Sequence, residues 1–471
     1  MKPIRITVFA ALAGLLLVPP AFAADEIQVW LTTPEPSKRL SREPDLSFSE
    51  VVPLSSSIRI DAGQRYQEIV GFGAALTDAS AFLINNRLSA GQRDALLNEL
   101  FGPDPGLRFS FTRLTIGASD FSQTHYSLDD RPAGWRDPLM RHFSIAPNRA
   151  DVLPVLKRML AVNPDLKIMA SPWSAPAWMK TSGSLIKGSL RPAAYPAYAR
   201  YFQRYLDAYT AEGVPIYALT IQNEPHYEPG DYPGMRVPPE ARAAFIGSYL
   251  GPLLKTSHPD VRILDWDHNW DEPQSPLAVL ADPKAAPYIA GVAWHCYNGK
   301  PEAQGPVHDA HPNKETWFSE CSGGEWSPGW NEALPWMAGA LVQTTRFWSK
   351  GVLFWNLALD ENHGPHLGGC GDCRGVVTID SVTGAITRNI EYYVLGHASR
   401  FVRQGAVRIE SGPPVDGLDD VAFRNPDGSV VLIAVNRGTG PKSFAVEQGG
   451  RSFSYTLATG SVATFVWRDA S

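Results

Sequence analysis

From about residue 66 to residue 360 the chain repeats one alternation: a short apolar run, then a longer stretch with apolar residues on one helical stripe. Such repetition constrains the fold more than any single motif, because parallel strands joined by covering helices bury both faces of the sheet. The apolar runs fall at 68–72, 109–116, 167–171, 218–222, 262–266, 289–295, 315–319 and 352–355. About eight strands of this kind close into a (β/α)8 barrel. Among the stripes between them is 196–211, where Tyr198, Tyr201, Phe202, Tyr205 and Leu206 share one face and Pro196 suits a first helical turn.

Both ends of the chain read differently. Strands are expected at 27–31 and 58–60. After about residue 396 the pattern alternates at period two through 420–424, the turn Asn425-Pro426-Asp427-Gly428, then 429–435, 452–457 and 462–467. Exposed edges need partners, so the economical arrangement is an antiparallel β-sandwich built from both termini. The expected fold class is therefore α/β, a (β/α)8 TIM barrel with an attached antiparallel β-sandwich. The expected division is a leader over 1–23, sandwich strands within 24–65, the barrel over 66–395 and the rest of the sandwich over 396–471.

Lys2 and Arg5 precede the apolar run 8–18, and Ala21-Phe22-Ala23 offers small residues for cleavage. That run is too short to span a bilayer. The expectation is an exported chain cut after Ala23, periplasmic or secreted, with no stable membrane insertion. Its destination oxidises thiols, and the four cysteines, Cys296, Cys321, Cys370 and Cys373, allow three pairings. A short-range bridge inside Cys370-Gly371-Asp372-Cys373 and a cross-strand bridge between Cys296 and Cys321 are both open. A zinc site on the same Cys-x-x-Cys lacks a second ligand pair at the usual spacing. The net charge of −6 gives no basic face for a nucleic acid.

Two of the strands end in a glutamate. Ala218-Leu219-Thr220-Ile221-Gln222-Asn223 leads to Glu224, where Pro225 stops the run, and Thr316-Trp317-Phe318-Ser319 leads to Glu320. A rim glutamate is ordinarily a salt-bridged surface residue. Here each follows an apolar strand, where an unpaired charge is costly. Carboxyl ends of barrel strands open into one pocket, and two carboxyls there are the equipment for breaking a glycosidic bond. Retention needs them about 5–5.5 Å apart and inversion roughly 6.5–9.5 Å. Strands four and seven across a filled barrel suit the shorter gap.

Other strand ends supply candidate sugar contacts. Asn223 can bond a hydroxyl or a carboxylate, although alone it reads as a turn residue. Asp120 follows strand two and could hold two hydroxyls of a glycone, or simply cap a turn. Trp173 and Trp355 end strands three and eight and could stack on a pyranose, or fill core. His295, beside Tyr297, ends strand six and is expected to pair with Glu320. Gly71-Phe72-Gly73-Ala74-Ala75 lacks the Lys-Ser/Thr ending of a phosphate loop.

In this order, Gln67-Glu68-Ile69-Val70-Gly71-Phe72-Gly73, Ala118-Ser119-Asp120-Phe121-Ser122, Ala170-Ser171-Pro172-Trp173, Gln222-Asn223-Glu224-Pro225, Phe318-Ser319-Glu320-Cys321 and Phe354-Trp355-Asn356 resemble glycoside hydrolase family 30 of clan A. That family has glucosylceramidases and β-1,6-glucanases among its members. The resemblance implies a retaining β-glycosidase with Glu224 as acid/base and Glu320 as nucleophile. It further implies glycone contacts from Asp120, Trp173, Asn223 and Trp355, with His295 and Tyr297 flanking the nucleophile. It implies a carbohydrate or glycolipid substrate and no metal or organic cofactor. The loop 360–375 departs from the lysosomal enzyme and resembles bacterial members with a cysteine-bearing loop, some of which cleave β-1,6-glucan. A β-xylosidase or β-fucosidase on the same scaffold, or a non-catalytic carbohydrate-binding protein, are the competing readings. The latter would usually lack one of the two carboxylates.

Overall fold

A computed structural model describes residues 26–50, 56–327 and 329–469. The leader expected at 1–23 lies outside these residues.

Eight parallel strands close the barrel. They are β1 (Gly71–Ala75), β2 (Phe111–Thr115), β3 (Lys167–Ser171), β4 (Ala218–Thr220), β5 (Arg262–Asn269), β6 (Ile289–His295), β7 (Glu315–Glu320) and β8 (Ser349–Asn356). Each pairs with its neighbours in chain order, and β8 closes on β1 through Val352 opposite Phe72. The helix Tyr195–Ala211 buries the tyrosine–phenylalanine stripe read from its spacing, with Pro196 in its first turn.

The sandwich uses both chain ends. Its larger sheet runs, in order, Ser41–Ser47, Glu26–Thr32, Val462–Arg468, Ser429–Asn436, Leu418–Arg424, Val407–Glu410 and Asp61–Glu68. The smaller sheet holds Ser49–Glu50, Arg451–Leu457, Lys442–Gln448 and Ser57–Arg59, the last two paired in parallel. Ile27, Val29, Leu432, Phe444, Phe465 and Trp467 fill the space between the sheets.

The sequence reading did not include the sandwich strands Ser41–Ser47, Val407–Glu410 and Lys442–Gln448, and it misplaced the first barrel strand. Residues 68–72 do not make the first barrel strand; Asp61–Glu68 pairs antiparallel with Val407–Glu410 in the sandwich, and the barrel begins at Gly71. The chain crosses over at Ile69 and Val70, whose N–H groups bond Ala406 and Lys350 carbonyls respectively. Alternating polar residues before Ile69 suit a half-exposed edge, whereas Gly71–Ala75 is buried throughout.

Candidate active site

Inside the barrel, every second side chain of a strand points inward. Phe111, Met169, Ala218, Leu264, Ala293, Trp317 and Leu353 pack together as an apolar floor, one from each of β2 to β8. Two residues further along most of these strands stand Arg113, Ser171, Thr220, His295, Ser319 and Trp355. Strand β5 reaches the same level by a bulge: its register with β6 shifts between Trp266 and His268, and both Trp266 and Asp267 have positive φ. The bulge turns Asp267 into the barrel.

Asp267 is the hub of this polar layer. Its carboxylate accepts from Arg113 Nη2 at 2.7 Å, Thr220 Oγ1 at 2.6 Å, Ser319 Oγ at 2.6 Å and His295 Nε2 at 3.0 Å. Burial opposes its charge, but Arg113 and His295 hold the carboxyl far below the usual range. Arg113 also donates to Glu320 Oε2 at 2.5 Å and to Asn223 Oδ1 at 2.7 Å. Its guanidinium lies 4.9 Å from the ring centre of Trp173.

The two strand-end glutamates meet above this layer. His295 Nδ1 is 3.1 Å from Glu224 Oε1 and 4.0 Å from Glu320 Oε1. The two carboxylate oxygens are thus no farther apart than those distances laid end to end, which excludes most of the inverting range of roughly 6.5–9.5 Å. Glu224 has φ 48°, and its N–H bonds the Asp267 carbonyl at 3.0 Å. A left-handed glutamate stores strain, of order 1–3 kcal/mol, that the surrounding bonds must offset. Tyr297 donates its hydroxyl to Glu320 Oε1 at 2.9 Å.

The expected partnership of His295 with Glu320 is a charge pair at 4.0 Å rather than a hydrogen bond. Both ring nitrogens of His295 are engaged elsewhere, with Glu224 and Asp267, and Glu320 is bonded instead by Arg113 and Tyr297. The β5 bulge places Asp267 at Nε2, and Nδ1 bonds Glu224 at the end of β4.

Burial works against an imidazolium, yet the carboxylates of Glu320, Asp267 and Glu224 outweigh it and raise His295 to about 9. Burial alone would push Glu224 up; His295, helped by His268, brings it below its ordinary value. At Glu320 burial, joined by the charges of Glu224 and Asp267, wins over His295 and Arg113 and holds this carboxyl above its ordinary value. Burial, followed by the charge of Glu320, lifts Asp120 to about 8.

A cavity of about 510 Å³ opens above these groups. Asp120, Glu224, Tyr297, Glu320 and Trp355 line it, as the sequence reading expected. Asn223 and His295 stand behind the lining, bonded to Arg113 and Glu224. Trp173 is buried and stacked on Trp355 at 5.1 Å, so it supports that ring without offering a free face of its own. Another cavity of about 510 Å³, lined by Glu240, Asp282 and Lys284, lies on the outer helices away from the strand ends.

Sequence reading missed Arg113 and Asp267 at the base of the site, and His268, Tyr232, Tyr227 and Trp326 on its walls. A signal existed for Arg113, an arginine two residues after Phe111 that can only face the barrel interior or an ion pair; for Asp267 there was none, since Asp265 stands in the same run. His268 follows the bulge of β5, and Tyr227, Tyr232 and Trp326 sit in loops, where spacing carries no direction. Oxygen or nitrogen atoms of Glu224, His268 and His295 lie within 4.8 Å of one another, a spacing a metal ion could use. With both nitrogens of His295 already bonded to carboxylates, the group reads as a hydrogen-bond network.

Disulfides join Cys296 to Cys321 and Cys370 to Cys373. The first ties the end of β6 to the end of β7, each cysteine adjacent to a site residue. The second closes the rim loop whose Gly369 packs against Asp120; a methyl there would fall 2.4 Å from the Asp120 Cβ. The Cys370 and Cys373 sulfurs are bonded to each other, which leaves no thiolate for zinc. Among the described residues no helix is long and apolar enough to cross a membrane.

Comparison with known proteins gives a consistent picture. The family model described as the glycosyl hydrolase family 30 TIM-barrel domain matches residues 69–402, and that of the family 30 β-sandwich domain matches 405–465. The endo-1,6-β-D-glucanase neg1 of Aspergillus fumigatus is 35% identical over 429 residues, 85% of each chain. Lysosomal acid glucosylceramidase of Mus musculus is 29% identical over 442 residues, 86% of this chain and 82% of that protein. The solved structure of the endo-β1,6-glucanase BT3312 superposes with a TM-score of 0.87 at 33% identity, covering 94% of this chain and all of that one.

Proposed function

Because the chain belongs to glycosyl hydrolase family 30 and is a glycoside hydrolase, we propose that it is an exported, retaining β-glucosidase-type enzyme acting on β-1,6-glucan. Glu224 is the acid/base and Glu320 the nucleophile. The observation that carries this reading is the pair of opposed carboxylates held around one imidazole.

The donors around each glutamate support the division of labour, against a resting charge balance that lowers Glu224 and raises Glu320. Glu320 accepts from Arg113 and Tyr297, two groups that stabilise an anion and part with protons reluctantly. Glu224 accepts from His295, a titratable donor that carries a proton in the resting site. Substrate displaces water from the cavity, and the proton held by the Glu224–His295 pair passes to the glycosidic oxygen through Glu224. Glu320 bonds the anomeric carbon as the leaving group departs. Glu224 then deprotonates a water that releases the sugar with retained configuration. Asp120, Asn223 and Trp355 hold the glycone at the deep end.

Glucan is preferred over ceramide because the relatives named as β-1,6-glucanases share more identity with this chain than the lysosomal glucosylceramidase does. Export is supported by the expected leader over 1–23 and by two disulfides, which persist in oxidising compartments. The test is product analysis on β-1,6-glucan, laminarin and glucosylceramide in parallel, with Glu320→Gln and Glu224→Ala variants. Glu320→Gln should be inert; Glu224→Ala should lose about 10²–10⁴-fold, and on an aryl β-glucoside, whose leaving group departs without protonation, azide should restore turnover as a β-glycosyl azide. An α-configured product or a turning-over Glu320→Gln variant would end the assignment.

A further inference from the structure

We propose that Trp326 is the platform for the sugar on the leaving-group side of the scissile bond, and that the bare backbone of Gly324 holds it there. This inference rests on the β-1,6-glucan reading above. The cavity is graded: Asp120 and Trp355 at its deep end are 6% and 4% exposed, whereas Trp326 and Tyr227 on its rim are 48% and 49% exposed. A glycone filling the buried end leaves the rim for whatever departs.

Trp326 is an exposed ring with a fixed seat. A methyl on Gly324 would fall 2.1 Å from the ring carbon Cζ3, with Cε3 and Cη2 at 2.5 Å, so the six-membered ring rests directly on the glycine. That glycine belongs to a two-residue strand, Gly323–Gly324, paired antiparallel with Cys373–Arg374. The next residue, Glu325, donates its N–H to the Asp372 carbonyl at 3.0 Å. The disulfide to Cys370 closes the far side of the same loop. One face of the indole is therefore packed and the rest open, and little freedom remains to be lost on binding.

An immobilised, half-open indole suits the apolar face of a pyranose. Its surroundings suit hydroxyls: exposed Asp231 and the side chains of Asn269 and His268 share the lining. An acyl chain would cover these polar groups without bonding them. The observations favour a sugar over a lipid.

Kinetics on two substrates test this. The quantity read is kcat/KM on a β-1,6-linked glucose trisaccharide or longer, divided by kcat/KM on an aryl β-glucoside. Trp326→Ala should lower that ratio about tenfold or more, chiefly through the KM of the oligosaccharide. Gly324→Ala should lower it in the same direction while leaving the tryptophan in the chain, and Trp326→Phe should recover part of it. Trp135→Ala, at a residue 70% exposed and outside the cavity, should change neither activity. Melting curves establish that each variant is folded. Wild-type enzyme inert towards β-1,6-oligosaccharides would overturn the glucan reading and this inference with it. Wild-type cleavage with an unmoved ratio in folded Trp326→Ala overturns the inference alone. So does a defect confined to glucosylceramide presented in phosphatidylcholine vesicles, which would make the ring a lipid contact.

Discussion

The guanidinium of Arg113 and the carboxylate of Asp267 lie 2.7 Å apart, and neither side chain exposes any surface. An isolated pair in that position would cost more in lost hydration than it returns. Here four of the five guanidinium N–H groups and all four acceptor positions of the carboxylate are bonded: besides each other, Arg113 reaches Glu320, Asn223 and Ser171, and Asp267 reaches Thr220, Ser319 and His295. The pair is best understood as a template. It fixes the nucleophile through one partner and the acid/base through the other, from strands two and five of the barrel.

Asp267→Asn removes one of the charges that raise His295 while keeping the side chain's size. Burial then weighs more heavily on the imidazolium, and its pKa falls from about 9. The proton destined for the leaving group is lost at lower pH, so the basic limb of kcat/KM should move acidward by about one unit or more. The measurement is a pH–rate profile on an aryl β-glucoside. A limb that stays put would show that Asp267 shapes the site without setting its protonation.

Arg113→Met leaves Glu320 and Asp267 as buried carboxylates without their shared cation. The expected destabilisation is about 3–5 kcal/mol, the range for breaking a buried pair from one side. Arg113→Lys should recover charge but not the fork that spans three acceptors, and so recover stability better than activity. Thermal melts and kcat on the two variants separate these effects; equal losses of both in Arg113→Lys would argue against the template.

Cys296 and Cys321 sit 25 residues apart and tie β6 to β7 between His295, Tyr297 and Glu320. Closing a loop of that size constrains the unfolded chain by about 2–4 kcal/mol. A Cys296→Ser/Cys321→Ser double variant should melt at lower temperature by a corresponding amount. Because Tyr297 meets Glu320 across that bridge, kcat should fall as well. A lowered melting temperature with kcat intact would confine the bridge to stability.

The barrel was legible because both of its periodicities are strong. Runs such as 289–295 and 352–355 carry apolar residues on both faces, and the stripe in 196–211 repeats with the helical period. Glu224 and Glu320 were legible for the same reason, as charges ending apolar strands. Asp267 was not. Its inward orientation depends on a bulge with two positive-φ residues, and nothing in Leu264-Asp265-Trp266-Asp267-His268 announces which aspartate turns in. Asp265 in fact faces outward, paired with buried Arg242 at 2.8 Å. Strand-end position gave the charge pair of His295 with Glu320 but not its hydrogen bonds to Glu224 and to Asp267 on the bulge. The rim aromatics were unreadable because loop residues take their direction from distant packing, as Trp326 does from Gly324.

The final expectation concerns acid stability and a histidine outside the cavity. His397, on the helix Ile390–Ser399, is buried between two strands of the sandwich. Thr464 donates its hydroxyl to the His397 carbonyl, so its oxygen accepts from Nδ1 at 2.8 Å; Thr32 Oγ1 lies 2.8 Å from Nε2. This arrangement suits the neutral ring, and burial pushes its pKa down to about 3. In the unfolded chain the ring takes a proton near pH 6.5. Between those values the unfolded state binds more protons, so the stabilisation is fully present above about pH 6.5 and is lost as pH falls toward 3, at about 1.4 kcal/mol per unit. Melting temperature should therefore drop from pH 7 to pH 4, and His397→Gln should drop less steeply over the same range. A variant as acid-sensitive as the wild type would mean that other groups dominate, and that the buried neutral imidazole contributes nothing to the pH dependence of folding.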